Sequence, residues 1–219
     1  MLQLNHVHFA WPNSDIKCLQ DIHLTIGKGE AVALMGDNGA GKSTLLKLIC
    51  GLLKPTEGSI TINDQDIAKL HAGERAKLVG LLFQEPERQF FHNTVQAEIA
   101  YGLKIQKYAA SEIEEKVTTI LQEFNLTHRQ DDHPLDLNAA EKRMVTLASL
   151  AVLNLPILLL DEPSRDLDDD WLLVLEQWLK KSQANGTTII AISHDPQFIA
   201  RNFHRTLQLT KGIMQHLSS

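Results

Sequence analysis

The sequence predicts an α/β fold built on a parallel sheet, with an antiparallel β subdomain at its N-terminus and a helical insertion in the middle. Two short, almost wholly apolar runs, residues 157–160 and 187–192, suit central strands covered on both faces. A helical period dominates from about Thr94 to Ser182. Ahead of it stands a strand–loop–helix succession. Residues 31–35 form an apolar strand, Gly36, Gly39 and Gly41 follow, and a helical pattern runs from Lys42 to Cys50 until Gly51 and Pro55 end it. The 219 residues, 43% hydrophobic and 22% charged, fit one globular domain and exclude disorder or collagen-like repetition. That domain is expected to span 1–219, with the helical insertion at about 86–156.

The remaining elements follow in chain order. Residues 2–11 alternate apolar and polar positions with one change of phase, which reads as a strand, and Pro12-Asn13-Ser14-Asp15 reads as a turn. Ile22, Leu24 and Ile26 alternate again, and Gly27-Lys28-Gly29 is expected to close a hairpin into 30–35. Residues 58–62 and 79–83 are further strands. In the helical stretch Ser111, Asn138 and Asp168 are expected N-caps. After Asp168, residues Trp171, Leu175, Trp178 and Leu179 share a stripe that predicts core packing, with the helix ending at Lys180-Lys181 before Gly186. Residues 205–209 and 213–217, joined at Lys211-Gly212, predict a closing hairpin.

Charge and composition narrow the function classes. The net charge of −6, from 21 Lys+Arg against 27 Asp+Glu, argues against a nucleic-acid partner, which would need a basic surface. Two cysteines make no disulfide framework and suit a reducing compartment. The opening residues lack the basic start and apolar core of a secretory signal. No stretch reaches the roughly 18 apolar residues a membrane helix needs, and Asn154 and Pro156 interrupt the best candidate. Ten histidines invite a metal reading, but neither His6 with His8 nor Asp131-Asp132-His133 brings the further ligands a zinc site needs. Cys50 reads as a core thiol.

The glycine loop carries the chemistry. Gly36-Asp37-Asn38-Gly39-Ala40-Gly41-Lys42-Ser43-Thr44 fits G-x-x-x-x-G-K-[ST] between a strand and a helix. Glycines let backbone N–H groups turn inward around phosphate oxygens, and the helix starting near Lys42 points its positive end at the same anion. Lys42 is expected to reach the β- and γ-phosphates and the Ser43 hydroxyl to ligate Mg²⁺. A second half of the site follows at Ile157-Leu158-Leu159-Leu160-Asp161-Glu162. There a buried strand ends in Asp161, placed to orient Mg²⁺, and Glu162, placed to polarise an attacking water as general base.

With these motifs in order, nearly the whole chain resembles an ATP-binding-cassette ATPase. The resemblance implies ATP as substrate and adenine stacking on Trp11, a contact worth about 1–3 kcal/mol. It implies that Gln84, after the strand 79–83, contacts Mg²⁺ and the attacking water. It also implies that His194 of Ser193-His194-Asp195 hydrogen-bonds the γ-phosphate. Asp168 in Ser164-Arg165-Asp166-Leu167-Asp168 matches a segment that crosses to a partner cassette, and Asp168-Asp169-Asp170 also suits an acidic first helical turn. Within the family the chain is most similar to importer ATPases of the energy-coupling-factor type, through Phe83 to Phe90, Thr94-Val95 and Glu98 to Leu103. That similarity implies a groove at Gln84 to Gln89, with Glu87 a candidate contact, that receives a membrane-spanning coupling subunit. A substrate-binding membrane subunit would act indirectly, and a vitamin or a cobalt or nickel ion would be the cargo. The chain would then sit peripherally on the cytoplasmic face of the cell membrane. It stops soon after the closing hairpin, so the C-terminal domain of longer family members is expected to be absent.

One motif departs from the family. The usual L-S-G-G-Q or L-S-G-G-E signature is replaced by Leu137-Asn138-Ala139-Ala140-Glu141. Family members grip the partner's γ-phosphate with the serine hydroxyl and glycine N–H groups, and two alanine methyls would crowd that approach. Asn138 with Glu141 three residues on can still cap the helix. A heterodimer with a second cassette carrying an intact signature is therefore favoured over a homodimer. Rival readings are a non-hydrolysing regulatory cassette, an exporter cassette, and a soluble cassette of DNA repair or translation. The last is disfavoured because the span from Lys42 to Asp161 leaves no room for a long coiled coil and the chain holds a single cassette.

Overall fold

The computed structural model describes residues 1–13, 16–85 and 89–216. The expectations placed on Ser14, Asp15, Pro86, Glu87, Arg88 and Leu217 lie outside the described residues.

Strands that are apolar on both faces need cover on both sides. Accordingly β3 (Ala31–Met35), β7 (Ile157–Asp161) and β8 (Thr188–Ile192) lie at the centre of a parallel sheet. Flanking them are β6 (Val79–Leu82) and β9 (Arg205–Thr210), and β10 (Ile213–His216) turns back antiparallel on β9. Among the described residues the order is β10-β9-β3-β8-β7-β6. Alternate side chains feed two separate cores. Ala33, Leu158, Leu160 and Ile189 pack against helices, whereas Val32, Leu34, Leu159 and Ile190 pack toward a second sheet.

That second sheet is antiparallel, in the order β2-β1-β4-β5, from β1 (Leu2–Ala10), β2 (Lys17–Ile26), β4 (Glu57–Ile62) and β5 (Gln65–Asp66). The phase change within β1 is a bulge: His6 sits at φ +48 and the register shifts between Leu4 and Val7, which turns Val7 and Phe9 inward with Leu2 and Leu4. The hairpin expected at Gly27-Lys28-Gly29 does not form. A tight turn is present, with the Gly27 N–H donating to the Glu30 carboxylate at 2.7 Å, but β2 and β3 belong to different sheets. The reason is burial: β2 alternates and needs one covered face, whereas only the interior of the parallel sheet covers both faces of β3.

The helices are α1 (Lys42–Ile49), α2 (Ala72–Arg75), α3 (Val95–Ile105), α4 (Ala110–Glu123), α5 (Ala139–Ala151), α6 (Asp169–Ala184) and α7 (Pro196–Asn202). Helices α3, α4 and α5 pack on one another and make the helical insertion. Asn138 and Asp168 cap α5 and α6 through their side chains, as their residue types predict. Ser111 does not cap α4. It lies inside the helix, and the cap position is Ala109, whose N–H donates to Glu112 at 3.1 Å. Glu112 thus supplies the return half of a capping box, and no hydroxyl stands at the cap to supply the other half. Leu175, Trp178 and Leu179 are buried on α6 and Trp171 is half-buried, while the helix continues past Lys181 to Ala184.

Candidate nucleotide-binding site

The glycine loop links β3 to α1, and at Gly36 and Gly41 a side chain would not fit, whereas Gly39 has open space around it and is set apart by its φ of +80. Gly36 has φ +148, and a Cβ there would lie 2.1 Å from the Leu209 carbonyl oxygen of the neighbouring strand. Gly41 caps α1 at φ +104 with no side-chain cap, and no acidic residue stands in the first turn. The positive end of α1 is thus left open, unlike the ends of α5 and α6, which Asn138 and Asp168 occupy. Lys42 is buried and curls over its own loop, its Nζ donating to the carbonyls of Gly36 at 2.7 Å and Asp37 at 3.0 Å. An arriving anion would offer that ammonium a stronger, charged acceptor.

One cavity of about 590 Å³ gathers most of the expected residues. It is lined by Trp11 and by Asn38, Gly39, Gly41, Lys42, Ser43 and Thr44 of the loop, and then by Gln84, Asp161, Glu162 and His194. Trp11 is 45% exposed, makes a T-shaped contact with Phe9 at 5.0 Å between ring centroids, and lines the cavity. Ala40 packs into the core instead of lining the cavity.

Asp161 closes β7 and is 8% exposed. Glu162 follows in the left-handed region at φ +53, its N–H held by the Ile192 carbonyl at 3.0 Å. This conformation costs a non-glycine residue about 1 kcal/mol or more and turns the side chain off the strand end into the cavity. Burial raises the Glu162 pKa above the usual carboxylate range, while His194 pulls it down and Asp161 pushes it up. His194 Nε2 lies 3.5 Å from Glu162 Oε1. A carboxylate made more basic in this way is better suited to accept a proton from water.

Asn138, Glu141 and Asp168 do not line this cavity. Asn138 Oδ1 accepts the Glu141 N–H at 2.9 Å, and Glu141 Oε2 accepts the Asn138 N–H at 3.1 Å. Glu141 is buried, and its other oxygen takes Arg129 Nε at 2.9 Å. Its carboxylate is therefore occupied in building the start of α5. Asp168 is exposed and accepts the Trp171 N–H at 3.0 Å. Among the described residues, no group of three or more His, Cys, Asp or Glu is placed to hold a metal by protein groups alone.

The sequence did not single out Cys18 or Arg165, yet both line the cavity. Cys18 arrives through strand pairing, since Ala10 opposite Lys17 and Phe9 opposite Leu19 bring it beside Trp11. Its Sγ lies 3.7 Å from Thr44 Oγ1. Arg165 is carried in by the turn after Glu162, where its N–H donates to the Glu162 carbonyl at 3.3 Å.

Fold and site together define a phosphate-loop nucleotide-binding domain with a helical insertion. The ABC transporter family matches residues 19–165, and the chain belongs to that family. Similar proteins include the energy-coupling factor transporter ATP-binding protein EcfA2 of Acetivibrio thermocellus, 36% identical over 95% of this chain and 75% of its own length. Another is the putative HMP/thiamine import ATP-binding protein YkoD of Bacillus subtilis, 34% identical over 91% of this chain. The chain spans 36% of YkoD, and about a quarter to a half of several other curated relatives. Among solved structures, the ATP-binding cassette MJ0796, a dimer bound to ADP and phosphate, aligns over 100% of both chains at 27% identity with a TM-score of 0.88. CbiO1 of Clostridium perfringens, described as part of the CbiONQ transporter complex, covers 98% of this chain and 86% of its own at 26% identity, TM-score 0.85.

Proposed function

We propose that this chain binds and hydrolyses ATP as a cassette subunit of an importer of the energy-coupling-factor type. The observation that carries this is the single cavity in which the open phosphate loop meets Trp11 at one side and Asp161, Glu162, Gln84 and His194 at the other. Trp11 would stack on adenine, Lys42 and the loop N–H groups would hold the phosphates, and Gln84 and His194 would contact the γ-phosphate end. Glu162 would take the proton of the attacking water. Ser43, Asp161 and Gln84 offer hydroxyl, carboxylate and amide oxygens to the same cavity, the donor types that a hard cation such as Mg²⁺ prefers. An ion that shares its shell with phosphates and water needs no all-protein cage, and when bound it would neutralise charge on the phosphate oxygens.

The importer assignment draws support from the named function of EcfA2 and from CbiO1. It also draws support from the surface beside Gln84 and Gln89. Gln89 staples the strand end, its side chain bonding the Phe83 N–H at 3.3 Å and the Leu81 carbonyl at 3.2 Å. Next to it Phe91 is 76% exposed, with Tyr101 beside it at 6.4 Å between ring centroids. An exposed aromatic pair at this place suits a membrane-spanning coupling subunit. No helix among the described residues is long and apolar enough to cross a membrane. As the ATPase of such an importer, the chain would attach peripherally, on the cytoplasmic face. A vitamin or transition-metal ion would be the cargo.

A second cassette completes the proposal. Asn138 and Ala139 at the start of α5 are exposed and away from the chain's own cavity, where they are free to face a partner's nucleotide. The methyls of Ala139 and Ala140 favour a partner with an intact signature over a second copy. The test is ATP turnover in the complex purified with its native membrane partners. Glu162→Gln should keep nucleotide binding and reduce turnover to background, and unchanged turnover would favour a regulatory, non-hydrolysing cassette. The isolated chain should turn over slowly, and an ordinary cassette rate would overturn the heterodimer.

A further inference from the structure

Arg143, on the second turn of α5, is 2% exposed. Burying a guanidinium strips it of water and is tolerated only where acceptors replace that water. Here the acceptors come from separate segments that meet at the site. Nη1 donates to the Glu162 carbonyl at 3.0 Å, and Nη2 to the Gln84 carbonyl and the Asp166 carboxylate, each at 3.4 Å. Nε is buried with no partner. The neighbouring α5 residues Met144 and Leu147 fill the core without charge, so packing by itself does not ask for an arginine.

We infer that Arg143 is a positioning residue for hydrolysis: by holding the backbone carbonyls of Glu162 and Gln84, it fixes the direction in which both side chains enter the nucleotide cavity. The inference rests on the hydrolysis proposed above. Glu162 sits at φ +53, a conformation a non-glycine residue keeps only where its surroundings hold it. Ile192 holds its N–H and Arg143 its carbonyl, so the peptide units on both sides of the side chain are pinned. Asp166 keeps the guanidinium in place from the far side and itself faces Arg165 Nε at 3.7 Å. Lysine would supply the charge but not the planar fork that reaches three acceptors. A displacement of about 1 Å in a reacting group can cost about 100-fold in rate, so loss of these bonds should show in turnover before it shows in binding.

The experiment measures ATP affinity, kcat and thermal stability in the complex purified with its membrane partners. It compares Arg143→Met, Arg143→Lys, Glu162→Gln and the double variant Glu162→Gln/Arg143→Met. Arg143→Met should lower kcat by about tenfold or more with ATP affinity held within about twofold, and Arg143→Lys should recover part of the loss. Because Arg143 acts partly through Glu162 and partly through Gln84, adding Arg143→Met to Glu162→Gln should lower the residual single-turnover rate by a smaller factor than Arg143→Met lowers kcat in the parental chain, and an equal or larger factor overturns the route through Glu162. A parental kcat in Arg143→Met, beside an inactive Glu162→Gln, overturns the inference and leaves the proposed hydrolysis standing. Equal losses of affinity, stability and turnover in both Arg143 variants also overturn it, in favour of general folding. If Arg143→Met does not fold, a folded Arg143→Lys with parental kcat overturns it. Parental turnover in Glu162→Gln is the separate outcome that removes the hydrolysis itself.

Discussion

Consider restoring the family signature at the start of α5 with Asn138→Ser, Ala139→Gly and Ala140→Gly together. The stability cost can be worked out position by position. Asn138 accepts the Glu141 N–H at 2.9 Å, and serine caps about as well, so that exchange is close to neutral. Glu141 keeps its return bond to the cap N–H at 3.1 Å and its pair with Arg129 at 2.9 Å. An alanine-to-glycine change costs about 0.5–1 kcal/mol in a helix interior and less at the first two helical positions, where Ala139 and Ala140 stand, so the pair costs at most about 1–2 kcal/mol. In a chain of this size that lowers Tm by at most about 8 °C. The exposed helix start then loses two methyls and can approach a phosphate with bare N–H groups. ATPase assays of the isolated chain should show turnover rising by about tenfold or more, since each such donor is worth at least that in other phosphate and oxyanion sites. A variant that melts within that range yet turns over ATP at the parental rate is the contrary result. Crowding by Ala139 and Ala140 would then not be what limits a homodimer.

Two further outcomes follow from the cavity. Trp11→Ala should weaken ATP and ADP alike by about 5- to 150-fold, the equivalent of about 1–3 kcal/mol of stacking, and Trp11→Phe should retain part of that affinity; fluorescent-nucleotide titration checks it, and a loss confined to ATP would contradict adenine stacking. Cys18 lines the cavity whereas Cys50 is held by burial at a pKa above that of an ordinary thiol. ATP with Mg²⁺ should therefore slow alkylation of Cys18 and leave the slow reaction of Cys50 unchanged, read by mass spectrometry of the labelled peptides.

How much of this was legible beforehand depends on the distance along the chain over which each feature is decided. The strand–loop–helix around Lys42, the acidic end of β7, and the Asn138 and Asp168 caps are all local, and each was read from residue type and spacing. Ser111 does not cap because the helix begins one residue earlier, at Ala110, where Glu112 covers the N–H of the cap residue Ala109 and no hydroxyl covers the next ones. The hairpin at Gly27 misled because a tight turn states only that the chain reverses, not which sheet receives it.

By itself, then, the sequence determined that this chain carries a phosphate loop, a carboxylate pair at a buried strand end, and an altered signature that is still capped as a helix. That β3 leaves β2 for the parallel sheet, that Cys18 and Arg165 share the nucleotide cavity, and that Arg143 lies buried behind Glu162 and Gln84 emerges from the packed fold. The physical reason is that turns, caps and glycine conformations are settled over three or four residues. Which side chains meet across β2, β6, β7 and α5 is settled by strand order, register and burial, which are properties of the packed whole.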